Sequence, residues 1–215
     1  QVHDVDKDQS GWNNLCEQLK VSSITSFTAA DIGMGPVALR TLATSLPGAL
    51  TSVVLDENEL SGTKIFGKGE SYEEIEELDA DLSGFTELCS SLKSSTVVSL
   101  SLRKCYLGPQ AVDLLADAIK LMGALTSVVL DENELTGTKI YGKGQPYERI
   151  EQLDADLSGF TELCSSLKSS TIVSLSLRKC YLGPHALDLL ADAIKLIAAV
   201  DAIAIGGNPI TSAGG

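Results

Sequence analysis

The chain of 215 residues predicts a single α/β domain wound as a repeat solenoid, with a parallel sheet on a concave face and helices on a convex one. Three observations lead there. Residues 50–124 and 125–199 are the same sequence apart from eleven positions, a period of 75 residues. Inside that period a shorter pattern, LxxLxLxx[N/C]xL with Val allowed for Leu, recurs. Each copy but the last is followed by apolar residues at helical spacing. Self-similarity at a fixed period outranks local propensity, because stacked units bury a continuous core that one unit cannot.

The six copies of the short pattern run from Ile24 to Met34, Leu50 to Leu60, Val97 to Leu107, Leu125 to Leu135, Ile172 to Leu182 and Val200 to Ile210. Apolar residues at the first, fourth and sixth places send three side chains to one face of a short strand. The Asn or Cys that follows turns inward to satisfy loop backbone groups. The first copy is the loosest, with Phe27 and Ala29 in apolar places and Ile32 where Asn or Cys is expected. After the turn, GPVALRTLATSL (Gly35 to Leu46) and GPQAVDLLADAIKL (Gly108 to Leu121) carry a helical period. Pro36, Pro109 and Pro184 stand at a first helical position, where a missing N–H costs nothing.

Strand, turn and helix thus repeat every 26–28 residues in the short units. This arrangement resembles the leucine-rich repeat family, and within it the ribonuclease-inhibitor-like subtype, whose units carry a full helix on the convex side. The alternation of Asn58, Cys105, Asn133 and Cys180 matches that subtype's alternating repeats. The resemblance implies a horseshoe and, by its usual use, a partner protein.

The units opening at Leu50 and Leu125 depart from it. They are 47 residues long and carry an extra segment, Gly62 to Gly84 in the first, before the helix FTELCSSLKSS. Tyr72, Ile75, Leu78, Leu82, Phe85, Cys89 and Leu92 keep a three-four spacing, so the segment is expected to add helix on the convex side. An extra strand near residues 78–82 and 153–157 is the rival expectation. The chain is read as one domain over 1–215, with a partial repeat at 1–49 and a truncated unit at 200–215. It opens and closes in mid-unit, which suggests a fragment of a longer protein, or an uncapped end near Val200 to Ile205 that pairs with a second copy as a homodimer.

Composition narrows the function. A net charge of −13 opposes nucleic-acid binding, which rests on phosphate neutralisation. No stretch approaches the ~20 apolar residues of a membrane span, and no leader opens the sequence. Five cysteines fall at repeat-equivalent places with no CxxC spacing. They are expected to be free buried thiols, in an intracellular, reducing compartment.

The leading candidate surface is the strand face. Asp56 and Glu57, Arg103 and Lys104, Asp131 and Glu132, and Arg178 and Lys179 are expected at outward positions, so charge alternates from strand to strand. Adjacent strands lie about 4.8 Å apart, which makes these rows either a self-neutralising ladder or a patterned docking face. The ribonuclease inhibitor proper meets a basic enzyme with an acidic concave face, whereas here much of the acid lies on the helices and the inserted segment, so that activity is not implied.

A second candidate is DxDxSG. Asp6, Asp8, Ser10 and Glu17 take the spacing of an EF-hand calcium loop, but Ser90 and Ser165 replace the twelfth-place carboxylate in the sister copies. Helix initiation by Ser10, Ser83 and Ser158 accounts for the same residues. A third is GTKIFGKG (Gly62 to Gly69) and its copy at Gly137 to Gly144, a near phosphate loop lacking the hydroxyl that would hold magnesium. His3 and His185 have no repeat-related partner, and Trp12 aligns with the core residues Phe85 and Phe160. No cofactor and no catalytic constellation is expected. The function expected is non-catalytic binding of another protein through the concave strand face and the protruding loops at 62–71 and 137–146, with a self-assembling structural role, calcium-responsive through the DxDxSG loops, as the alternative.

Overall fold

The computed structural model describes residues 5–67, 74–143, 145–197 and 200–209. Six parallel strands make one sheet: β1 (Ser26–Thr28), β2 (Ser52–Val54), β5 (Ser99–Ser101), β6 (Ser127–Val129), β9 (Ser174–Ser176) and β10 (Ala202–Ala204), in that spatial order. Each belongs to one copy of the short pattern, and their registers coincide, Val53 facing Leu100 and Val128 facing Leu175. The strands are three residues long because the pattern asks for only one buried residue at their centre. Val53, Leu100, Val128 and Leu175 fill that place, with Leu50, Leu55 and their equivalents closing the core on either side.

Among the described residues six helices alternate with these strands: α1 (Ser10–Lys20), α2 (Pro36–Ala43), α3 (Ser83–Leu92), α4 (Pro109–Ile119), α5 (Ser158–Leu167) and α6 (Pro184–Ile194). The three prolines occupy the first helical turn as expected. Phe85 and Phe160 are wholly buried, while Trp12, their counterpart in α1, is half-buried and donates its indole N–H to the Ala38 carbonyl at 2.9 Å. The helices of the long units pack closely on those of the preceding short ones. A methyl group added at Gly84 would lie 2.1 Å from the Pro36 carbonyl oxygen, and one at Gly159 would lie 1.9 Å from that of Pro109. No helix among the described residues is long and apolar enough to cross a membrane.

The inserted segment is not the helix that its spacing predicts. β3 (Lys64–Phe66) pairs antiparallel with β4 (Glu74–Glu77), and β7 (Lys139–Tyr141) with β8 (Arg149–Gln152), so each insert is a separate two-stranded hairpin. The rival expectation also misses: residues 78–82 and 153–157 are turn, bend and irregular chain, and the strands end just before them. Two physical causes oppose a helix. Asp79 and Asp154 hold positive φ, 56° and 52°, which breaks any helix running through them. A helix over this stretch would also crowd Glu73, Glu74, Glu76 and Glu77, whereas the hairpin sets Lys64 against Glu77 at 2.5 Å. Tyr72, part of the predicted helical stripe, lies outside the described residues.

Candidate binding surface

The turn after each strand is built by one side chain. Asn58 accepts from the backbone N–H of Ile32 and Met34 and donates to the carbonyls of Ala29, Leu55 and Asp56. Asn133 makes the same five bonds to Cys105, Leu107, Leu102, Leu130 and Asp131. Asn208 accepts from Cys180 and Leu182 and donates to Leu177 and Ile205. The asparagines therefore bind their own turn to that of the preceding unit. The cysteines reach one unit back with a weaker bond, Cys105 to the Leu55 carbonyl and Cys180 to that of Leu130, both at 3.2 Å. All five cysteines are free and buried. Burial pushes the thiols of Cys89, Cys105, Cys164 and Cys180 up to about 12 and that of Cys16 up to about 11.

The predicted charged rows lie in these turns and not on the strands. Asp56 and Glu57 follow β2 by two and three residues, and the other pairs follow their strands likewise. The second residue of each row, Glu57, Lys104, Glu132 or Lys179, has φ between 53° and 61°. The first and second residues have different tasks. Asp56 accepts from the Ser101 hydroxyl at 2.6 Å and from the Arg103 N–H at 2.9 Å, and Asp131 accepts from the Arg178 N–H at 2.8 Å. These two aspartates are struts between units.

The second residues, with Arg103, form an ion-pair row. Arg103 bonds Glu57 at 2.9 Å and Glu132 at 3.1 Å, and Lys104 bonds Glu57 at 3.0 Å. The Lys104 hydrogen bond holds the Glu57 carboxyl below its usual range. At the far end the row is open. Lys179 is 67% exposed and stands 4.0 Å from Glu132, and the Arg178 side chain has no ion pair among the described residues. The structure thus joins Glu57, Arg103, Lys104 and Glu132, and leaves Arg178 and Lys179 facing solvent.

The DxDxSG residues are not brought together as ligands. Asp6 accepts from the N–H groups of Gly35, Val37 and Ala38 at 2.8–3.1 Å, capping α2 across some thirty residues of chain. Asp79 does the same for Gly108, Gln110 and Ala111 at the start of α4, and Asp154 for Gly183, His185 and Ala186 at the start of α6. Gly35, Gly108 and Gly183 offer no capping side chain, so each carboxylate replaces one from another unit. Burial pushes the Asp79 carboxyl above its ordinary range while the Ala111 and Gly108 amides pull against it. Asp8 accepts from Ser10 N and Oγ at 2.9 and 2.8 Å, and Glu17 sits exposed on α1. Ser10, Ser83 and Ser158 are first helical residues and not the caps themselves. Among the described residues no group of three His, Cys, Asp or Glu could hold a metal ion.

The near phosphate loop has the wrong order of elements, since β3 or β7 runs through its middle. Its Thr63 and Thr138 donate to the carbonyls of Tyr106 and Tyr181 at 2.8 and 3.0 Å, tying each hairpin base to the next turn. Its Lys143 reaches a buried carboxylate, Glu134, beside the rings of Tyr106 and Tyr181. Sequence reasoning missed this cluster, although an aromatic between Cys and Leu in both CYL turns was a signal. His3 lies outside the described residues.

No family model matches the chain. No curated protein matches it. Among solved structures, the fold is similar to the tropomodulin C-terminal domain of Caenorhabditis elegans, a leucine-rich-repeat-type fold, with a TM-score of 0.55 at 9% identity over 88% of this chain and 92% of that one. The likeness is one of fold.

Proposed function

We propose that the chain is a non-catalytic protein-binding module: a leucine-rich-repeat horseshoe of the ribonuclease-inhibitor-like subtype that holds its partner along the turn row on the concave side and against the two hairpins. The observation that carries the reading is the row itself. Its charges sit on turns fixed by asparagines with four or five bonds each and by aspartate struts, so they are presented at little entropic cost to a docking protein. The row is neutralised at one end and open at Arg178 and Lys179, which favours an acidic patch on the partner there. Thiols held far above neutral pH by burial make poor nucleophiles, in keeping with binding rather than catalysis.

The test is capture from a lysate of the source cell by immobilised protein. Wild type should retain a defined partner, and the double variant Arg178→Glu, Lys179→Glu, whose side chains face solvent, should lose it while its melting temperature stays within a few degrees. Undiminished capture by the variant would retire the turn row.

A further inference from the structure

We propose that Tyr106, Tyr181 and Glu134 form a box for the ammonium group of a partner's lysine, and that the protein's own Lys143 occupies it in cis. The partner in this statement rests on the binding-module reading above; the box rests on geometry alone.

Glu134 follows Asn133 in the turn after β6 and is 1% exposed. One carboxylate oxygen takes Lys143 Nζ, and the other, Oε2, is buried with no hydrogen-bond partner among the described residues. A buried carboxylate with an unmet lone pair is costly, so the site accommodates more donor capacity than its present occupant supplies. Lys143 Nζ lies 5.8 Å from the Tyr106 ring centroid and 5.7 Å from that of Tyr181. Both distances are inside the ~6 Å over which a ring face attracts a cation. A compact ammonium suits two rings and one carboxylate, where a planar guanidinium would seek a bidentate acceptor.

The walls and the occupant belong to different parts of the molecule. Tyr106 and Tyr181 sit in the fixed turns, at φ of 54° and 52°, with their carbonyls held by Thr63 and Thr138. Glu134 donates its own N–H to the Leu107 carbonyl at 3.0 Å. Lys143 comes instead from the loop joining β7 to β8, where Gln145 N bonds Gly142 O and Glu148 N bonds Gln145 O. Those loop bonds are local, so the loop can release its lysine without breaking a bond of the sheet. A neighbouring carboxylate on the same loop, Glu148, accepts from the Tyr181 hydroxyl at 3.1 Å and adds to the attraction for a cation. The other long unit has no such box, because Gly33 stands where the second tyrosine is required.

The experiment titrates lysine blocked at both backbone ends into the full chain and follows the tyrosine ring protons by NMR, with the Nε-acetylated form as control. Lys143→Met, which keeps the aliphatic stem, should bind blocked lysine saturably, with shifts confined to Tyr106 and Tyr181. Wild type should bind at least about tenfold more weakly, since its tethered lysine competes at an effective concentration near millimolar. The pair Lys143→Met, Glu134→Gln should not bind, and the acetylated ligand should bind none of them. Equal response to lysine and acetyl-lysine in Lys143→Met would overturn the proposal. Loss of fold in that variant would overturn it too, because a box that cannot be vacated cannot exchange. Partner capture is read separately, so either reading can fail alone.

Discussion

Asp154 has two carboxylate oxygens serving three amides that α6 cannot satisfy for itself. Asp154→Ala should therefore cost about 2–3 kcal/mol, a lost cap plus stranded donors, whereas Asp156→Ala, whose carboxylate bonds only the exposed Ser158, should cost about 1 kcal/mol or less. Urea denaturation of the two variants checks the ratio. The cysteines set a pH limit. Unfolded thiols ionise near ~8.5, while the folded ones are held at about 11 to 12. Above ~8.5 the unfolded chain binds fewer protons than the native one, so stability is complete below that pH and falls as pH rises toward the folded values, by up to ~1.4 kcal/mol per unit for each thiol. Denaturation midpoints at pH 7 and pH 10 test the sign, and iodoacetamide should leave the native protein unmodified at pH 8. At this scale the inward Asn and Cys were legible, because the pattern repeats them at one fixed place after each strand. The roles of Asp79 and Asp154 were not, because the groups they cap lie some thirty residues on.

Glycine at the second place of the SGW and SGF helices looks like one choice made three times, yet its surroundings differ. Gly84 and Gly159 touch backbone carbonyls of the preceding helix, while nothing described lies within 4 Å of a methyl placed at Gly11. Gly84→Ala and Gly159→Ala should each cost about 1–3 kcal/mol by prising helices apart, and Gly11→Ala should raise stability by about 0.5–1 kcal/mol. Thermal unfolding of the three variants reads the difference. The elements themselves show where sequence patterns mislead. Six strands and their prolines could be read directly, since period and turn chemistry agreed. The hairpins could not, because Ile75, Leu78 and Leu82 keep a helical spacing that the facing strand at Lys64–Phe66 overrides. That pairing is a contact between segments, and no window along the chain contains it. The charged rows were located by register, but they fall two and three residues past the strands they were assigned to.

Across the molecule, the long units are fasteners. Asn133 ties the long unit at Leu125 to the short unit before it, and Asp154 closes the helix of the short unit after it. Asn58 and Asp79 do the same one period earlier. Charge in the turn row follows the same two-unit rhythm, with Arg103 and Arg178 at equivalent places. A short unit cut out by itself would leave a helix with bare amides and a turn with unclosed loops. The smallest length that can be spliced in without leaving any joint unmet is therefore the full 75 residues of one short and one long unit, and the chain could be lengthened by whole multiples of that piece but not by halves.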